Sequence, residues 1–289
     1  MSVYLRKLLR FSPIYLLLMI INTACVSFRE SDRKVFRKFK ETTVTPKIYR
    51  TPFEEKELRY IADKEIDSRM PTIIFIHGAP GSGGNYFRYL KDPKLGKSSN
   101  LITVDRLGYG YSDHGNAETS IEKQAESIFA IAEKHELKNL VLVGWSYGVP
   151  IAAKMAYKFP EVKHSVLVAG AVSPKDEKFF GIAKMATWKL TKWMVPKPLK
   201  IANDEKITHI EELTKMLDDW SQIRSPITYY HGTKDNIVPY ENMNFIKSNV
   251  SDNILKAVVL EDMNHFILSK KYEVIQQELL DILERISSH

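Results

Sequence analysis

Residues 141–148 read V-L-V-G-W-S-Y-G. The apolar, β-branched run 139–143 meets Gly144, Trp145, Ser146, Tyr147 and Gly148, and P-I-A-A-K-M-A-Y-K-F follows at once. The expected order is strand, G-x-S-x-G, helix. A serine hydroxyl is a poor nucleophile and needs special placement. A sharp strand-to-helix turn holds the serine in a strained conformation with its oxygen clear of the sheet, and glycines two residues to either side leave room for that corner. The turn also sets a helix N-terminus beneath the serine, where free N–H groups and the helix dipole favour developing negative charge. Five residues of this kind are a weak signal alone, since an ordinary glycine-flanked turn reads the same way. A catalytic serine requires a histidine base, a carboxylate to orient it and an oxyanion hole.

Candidates for all three lie at the ends of strand-like runs, where functional residues of open parallel sheets gather. I-T-Y-Y-H-G-T-K-D-N-I-V-P (Ile227 to Pro239) breaks at Gly232 and delivers Asp235 into a loop. K-A-V-V-L-E-D-M-N-H-F (Lys256 to Phe266) brings His265 onto a loop before the last helix. Asp235 is the expected orienting acid and His265 the expected base; Glu261 and Asp262 read as surface charges at a strand end. His77 and His231 each end a strand just before glycine and are expected to brace loops. His114, His135, His164, His209 and His289 sit in polar surroundings without an evident partner. For the oxyanion hole, the N–H of Tyr147 is one expected donor. The glycine-rich loop of P-T-I-I-F-I-H-G-A-P-G-S-G-G-N-Y (Pro71 to Tyr86) supplies the other, at Ala79. That loop lacks the lysine and Ser/Thr ending of a phosphate-binding P-loop, and its glycines do not follow G-x-G-x-x-G. Asp105, in D-R-L-G-Y-G-Y-S-D, precedes the serine and reads as a structural turn residue.

These pieces together resemble the α/β-hydrolase superfamily, in particular its cap-bearing serine hydrolases. H-G-A-P-G, D-R-L-G-Y-G-Y-S-D, G-W-S-Y-G, the aspartate of G-T-K-D and the histidine of M-N-H-F fall in the family's order between Thr72 and Phe266. The H-G-x-P-G form is also similar to that of proline iminopeptidases and epoxide-hydrolase relatives. Serine at the nucleophile position argues against epoxide hydrolases and haloalkane dehalogenases, which use aspartate there. The chain departs from the family where D-M-N-H replaces the frequent G-x-G-H. The resemblance implies an α/β fold with a mostly parallel central sheet flanked by helices, and a helical cap inserted after the sixth strand. It implies a Ser146–His265–Asp235 triad working through an acyl-enzyme on a small-molecule acyl substrate, with no metal and no organic cofactor. A carboxylic ester is the expected substrate. The alternatives are an aminopeptidase of the proline-iminopeptidase type and a non-catalytic, membrane-tethered binding protein of the same fold.

The chain has 289 residues and a formal net charge of +7, enough length to bury one full α/β core. The lysines are spread, and no basic-aromatic interleaving or nucleic-acid motif is present, so no nucleic-acid partner is expected. The first 24 residues differ: Arg6, Lys7 and Arg10 precede the apolar run Ile14 to Ile21, followed by N-T-A-C and Cys25, the only cysteine. This is the plan of an export signal, and N-T-A-C resembles a bacterial lipoprotein box in which Cys25 is lipidated. Arg29, Arg33, Lys34, Arg37, Lys38 and Lys40 crowd just beyond, which disfavours translocation but suits anionic lipid. Residues 1–24 are expected to be a signal peptide or membrane anchor, with membrane lipid as a partner; residues 25–50 a basic linker; and residues 51–289 the α/β domain.

The alternation of strand and helix lapses between Pro174 and Pro226. The cap is assigned to about 174–226. Its Phe179, Phe180, Met185, Trp188, Trp193, Met194, Met216, Leu217 and Trp220 read either as core or as a lid lining an acyl pocket, and its Asp204, Glu205, Glu211, Glu212, Asp218 and Asp219 as solvated or as an amine trap.

Overall fold

Apolar runs that are buried along their whole length need cover on both faces, and the sheet of this protein has it. The computed structural model describes residues 28–177 and 195–288. Eight strands, β1 (Lys47–Phe53), β2 (Lys56–Ala62), β3 (Thr72–Ile76), β4 (Asn100–Val104), β5 (Leu140–Trp145), β6 (Val162–Val168), β7 (Ile227–Gly232) and β8 (Leu255–Leu260), form one sheet in the order β1-β2-β4-β3-β5-β6-β7-β8. β1 and β2 are antiparallel, β2 joins β4 antiparallel, and every pairing from β4 to β8 is parallel.

Side chains alternate across a strand, so each buried strand feeds two cores. Ile74, Ile76 and Leu142 point to one face. There they meet the helix α1 (Ile121–His135), through Ile128 and Ile131, and α2 (Gly148–Lys158), through Val149 and Met155. Ile73, Phe75, Val141 and Val143 point to the other face and meet Ile275, Leu279 and Ile282 of the C-terminal helix α3 (Tyr272–Ser287). α1 begins at Ser120, whose hydroxyl accepts from the Lys123 N–H, an N-cap that satisfies one of the free donors of the first turn.

Residues 25–50 are more than a linker. Within them, Asp32–Phe39 is helical, capped by Ser31, and buries Val35 and Phe39 in the second core against Phe87. Two such side chains contribute several kcal/mol between them, about 1.5–3 each at full burial. The basic residues lie on the other face of this helix, which is why composition alone reads as a linker. β1 then begins at Lys47. The last helix is also interrupted, with Ile267–Lys270 as a separate turn before α3.

The segment between β6 and β7 carries α4 (Lys197–Lys215) and the short Asp219–Gln222 helix, so the cap follows the sixth strand. Residues 178–194, with Phe179, Phe180, Met185, Trp188, Trp193 and Met194, lie outside the described residues, as do residues 1–27 with Cys25. Among the described cap residues, Met216 and Trp220 are core: both are fully buried against the sheet's first face. No helix among the described residues is long and apolar enough to cross a membrane.

Candidate active site

The corner at Ser146 is as tight as its sequence demands. Ser146 has φ +55°, a left-handed conformation costly for a residue with a Cβ. Its N–H donates to Val168 O at 3.0 Å and its carbonyl accepts from Val149 N at 3.0 Å, so the residue is tied both to the neighbouring strand and to the first turn of α2. Gly148 cannot carry a side chain, because a Cβ would stand 2.3 Å from Ile76 O on β3. Gly78 is the second such contact. A Cβ there would come within 2.9 Å of Ser146 Cβ, which places the loop after β3 directly over the serine. Ala79, Ser146 and Tyr147 line one cavity, and Tyr147 precedes the first turn of α2.

Asp235 and His265 are brought together by the ends of β7 and β8. His265 Nδ1 donates to Asp235 Oδ2 at 2.7 Å. The other carboxylate oxygen accepts from the N–H groups of Ile237 and Val238, both at 2.9 Å, so local turn geometry fixes the carboxylate before the imidazole meets it. Burial pushes the Asp235 carboxyl up, but the hydrogen bond and charge of His265 and the two amides outweigh it and hold it below the usual carboxylate range. The His265 carbonyl accepts from Trp145 Nε1 at 3.1 Å, and the two rings lie 5.3 Å apart, so His265 is anchored to the residue next to Ser146. No hydrogen bond joins Ser146 Oγ to His265 in this structure; such bonds commonly tighten only when substrate is bound. With the three groups so placed, the arrangement can support nucleophilic attack by a serine and proton transfer by an imidazole held in one tautomer.

Other sequence expectations fall into place around this centre. Asp105 accepts from Gly83 N, Tyr111 N and Arg59 Nη1 at 2.9–3.0 Å, the structural role expected of it. His77 braces its loop: Nδ1 meets Gly78 O at 2.7 Å and Nε2 accepts from Arg106 N at 3.1 Å. Burial, then the neighbouring Arg106 charge, hold it well below the usual histidine range and keep it neutral. His231 Nε2 donates to Val238 O at 3.1 Å. Glu261 and Asp262 are exposed.

Three contributions have no signal in the sequence. Arg106 is fully buried; it donates to His77 O and Gly78 O at 2.9 and 3.1 Å and forks onto both oxygens of Glu205 on α4 at 2.5 and 3.2 Å. Tyr109 Oη donates to the same carboxylate at 2.6 Å. One guanidinium thus ties the loop over Ser146 to the cap. Second, His209 is buried: its ring stacks on Tyr147 at 4.5 Å, and Nδ1 meets Glu177 Oε1 at 2.8 Å. Third, Glu177, Asn203 and His209 line a cavity of about 200 Å³ together with Ala79, Ser146 and Tyr147. Among the described residues no group of acidic, histidine or cysteine side chains is arranged to hold a metal.

A sequence model described as the alpha/beta hydrolase fold matches residues 71–197. A 1-acylglycerol-3-phosphate O-acyltransferase of Arabidopsis thaliana is 33% identical over 144 residues, 46% of this chain and 34% of the relative, so the match spans about a third of that protein's length. The serine hydrolase BPHL of Mus musculus is 26% identical over 206 residues, covering 62% of this chain and 68% of the relative. Among solved structures, an alpha/beta hydrolase enzyme from a Medee basin deep-sea metagenome library superposes with a TM-score of 0.65 at 16% identity, over 82% of this chain and 97% of that one.

Proposed function

We propose that this chain, a member of the α/β-hydrolase superfamily, is a serine hydrolase of small acyl esters. The observation that carries the reading is the conjunction of Ser146 at φ +55° on its corner with the 2.7 Å His265–Asp235 bond alongside it. Ser146 Oγ attacks the ester carbonyl while His265 Nε2 takes its proton. The N–H groups of Tyr147 and Ala79 receive the oxyanion, each worth on the order of 3 kcal/mol. The imidazolium then protonates the departing alcohol, leaving an acyl-Ser146 ester. Water, deprotonated by the same imidazole, attacks that ester and frees the acid. Asp235 stays ionised throughout and holds Nδ1–H in place.

The aminopeptidase alternative needs an acid free to catch a substrate amine. Glu205 is taken by Arg106, Asp219 by Lys154 and Glu212 by the Ile121 N–H. Glu177, the acid that does line the cavity, pairs with His209 and Lys206. These pairings favour the esterase reading. A pair of groups as costly as Ser146 and the His265–Asp235 dyad also serves no purpose in a pure binding protein. Reaction with a fluorophosphonate probe tests the proposal: the wild type is expected to label stoichiometrically at Ser146 and Ser146→Ala to stay unlabelled. Equal labelling of the two proteins would overturn it. Attachment to membrane lipid through Cys25 belongs to the same proposal, on the strength of the N-T-A-C run. Mass spectrometry of the mature chain decides it, since retention of Met1–Ala24 would overturn the reading of a cleaved lipoprotein with Cys25 at its N-terminus.

A further inference from the structure

The cavity beside Ser146 is not uniformly apolar. Three of its lining residues are more than nine-tenths buried and still carry a polar atom without a hydrogen-bond partner: Tyr147 Oη, Asn203 Oδ1 and His209 Nε2. Buried polar side-chain atoms are paired in the great majority of cases, and an unpaired one calls for a reason. Three around one cavity, at the foot of the proposed nucleophile, share that reason if a ligand supplies the missing partners.

The chemistry of the three atoms defines what fits. Glu177 lies against His209 Nδ1 at 2.8 Å and also pairs with Lys206. Burial raises the Glu177 carboxyl, but the His209 and Lys206 contacts prevail and hold it below the usual range, so it is ionised and Nδ1 must carry the proton. His209 Nε2, the ring nitrogen which that bond leaves over, is a further atom in need of a partner. Asn203 Oδ1, an amide oxygen, accepts. The Tyr147 phenol is pushed well above its usual range by burial and by the nearby Glu205 charge, so it keeps its proton and can donate. The partner that suits this wall both donates, to Asn203 Oδ1, and accepts, from the Tyr147 phenol, as a hydroxyl does. An ester or keto oxygen or a carboxylate, which only accept, would leave Asn203 Oδ1 unmet, and an ammonium, which only donates, would leave the Tyr147 hydroxyl proton unmet.

Size sets a second limit. A cavity of 150 Å³ takes benzene, so about 200 Å³ takes roughly eight non-hydrogen atoms by the same scale. We propose that the pocket formed by Tyr147, Asn203 and His209 is a specificity subsite for a hydroxyl group, and that the substrate's acyl part is a short hydroxylated chain or ring rather than a long plain alkyl chain. This rests on Ser146 being the nucleophile, and the test separates the two.

Turnover of matched p-nitrophenyl esters reads the subsite: hexanoate against 6-hydroxyhexanoate, and phenylacetate against its 3- and 4-hydroxy counterparts. At least one hydroxylated ester is expected to exceed its plain match in kcat/KM by about tenfold or more, the size of effect when a buried polar group gains or loses its partner. That ratio should fall toward one in His209→Leu and in Asn203→Leu, and be partly kept in His209→Gln, which retains a polar side chain. Binding of methyl phenylacetate and methyl 4-hydroxyphenylacetate to Ser146→Ala gives the same comparison without chemistry. Plain esters processed and bound as well as every hydroxylated match, or a hydroxyl preference that survives His209→Leu, overturns the subsite while leaving a fluorophosphonate-reactive Ser146 intact. A chain that neither labels nor turns over any ester, yet in its Ser146→Ala form binds the hydroxylated ester more tightly, overturns the nucleophile and keeps the subsite.

Discussion

The carboxyl edge of the sheet and the inner face of the cap helix meet over the same cavity, yet they are built by different rules. At the sheet edge, backbone fixes each functional group: a left-handed Ser146, a carboxylate held by two amides of its own turn, an imidazole one residue short of a helix. On α4, side chains fix one another: Glu205 through Arg106 and Tyr109, His209 through Glu177 and the Tyr147 ring. A group placed by backbone survives the loss of a neighbour, whereas one placed by side chains is only as fixed as its partners. The first region is suited to chemistry that does not vary with substrate, the second to recognition that does.

The largest expected effect sits at the sheet edge. Asp235→Asn keeps the turn, because an amide oxygen can still accept from Ile237 and Val238, but it no longer demands Nδ1–H from His265. The imidazole can then adopt the wrong tautomer. A loss in kcat on the order of 10⁴-fold is expected, by analogy with the same change in serine proteases, with the thermal midpoint little altered. Steady-state kinetics beside thermal melts check this; a kcat within tenfold of wild type would mean that the dyad does not act as a base.

How well each region reads in the sequence follows the same division. The corner, the loop after β3 and the ends of β7 and β8 are marked by glycine and by β-branched runs of strand length, because local backbone geometry chooses those residues. β1 carries no such mark. It is an edge strand, half-exposed, with Pro52 tolerated where no ladder bond is needed on one side. Its two-residue turn is Glu54-Glu55, with Glu54 at φ +51° and no glycine to announce it. The helix at Asp32–Phe39 hides behind its basic face. His209 and Glu205 are harder still, since a polar residue on a helix looks solvated until the partner it docks against is known. Arg106 could be seen only as part of a glycine turn, although it stitches the Ser146 loop to the cap.

The Arg106–Glu205 pair offers a sharper test of the division, with a smaller effect. Removing one member of a buried ion pair leaves an uncompensated charge, at a cost of about 3–5 kcal/mol. Glu205→Gln is expected to lose stability near the low end of that range, since an amide oxygen still accepts from the guanidinium. It should also lower kcat/KM, because Arg106 holds the carbonyls of His77 and Gly78 over Ser146. Replacing both partners with apolar residues, Arg106→Met with Glu205→Leu, removes the stranded charge. Denaturant titration should show most of the stability recovered, while ester turnover stays low. Recovery of both would show that the pair supports only the fold and does not position the loop.

The smallest effect belongs to the opposite edge of the sheet, which holds a buried polar network far from any proposed substrate. His164 Nε2 meets Thr228 Oγ1 at 3.0 Å, and that hydroxyl donates to Glu278 at 2.9 Å; Lys256 also pairs with Glu278. Burial, reinforced by the Arg285 charge, pushes His164 down to about 4 from 6.5. The unfolded chain therefore takes up a proton at a pH where the native state refuses it. The contribution is complete above pH 6.5 and is lost as pH falls from 6.5 toward 4, by at most about 3 kcal/mol. Asp63 works against it: burial raises its carboxyl to about 6, so the native state holds a proton that the unfolded chain releases, and this stabilises as pH falls through 6 toward 4. The wild-type curve mixes the two signs, and only a difference curve separates them. Chemical denaturation of His164→Gln and wild type between pH 4 and 7.5 should show the variant gaining on the wild type as pH drops below 6.5, with kcat at pH 7.5 unchanged. Parallel curves would mean that His164 is protonated as readily in the native state as in the unfolded chain, and that this edge of the sheet is wetter than its packing implies.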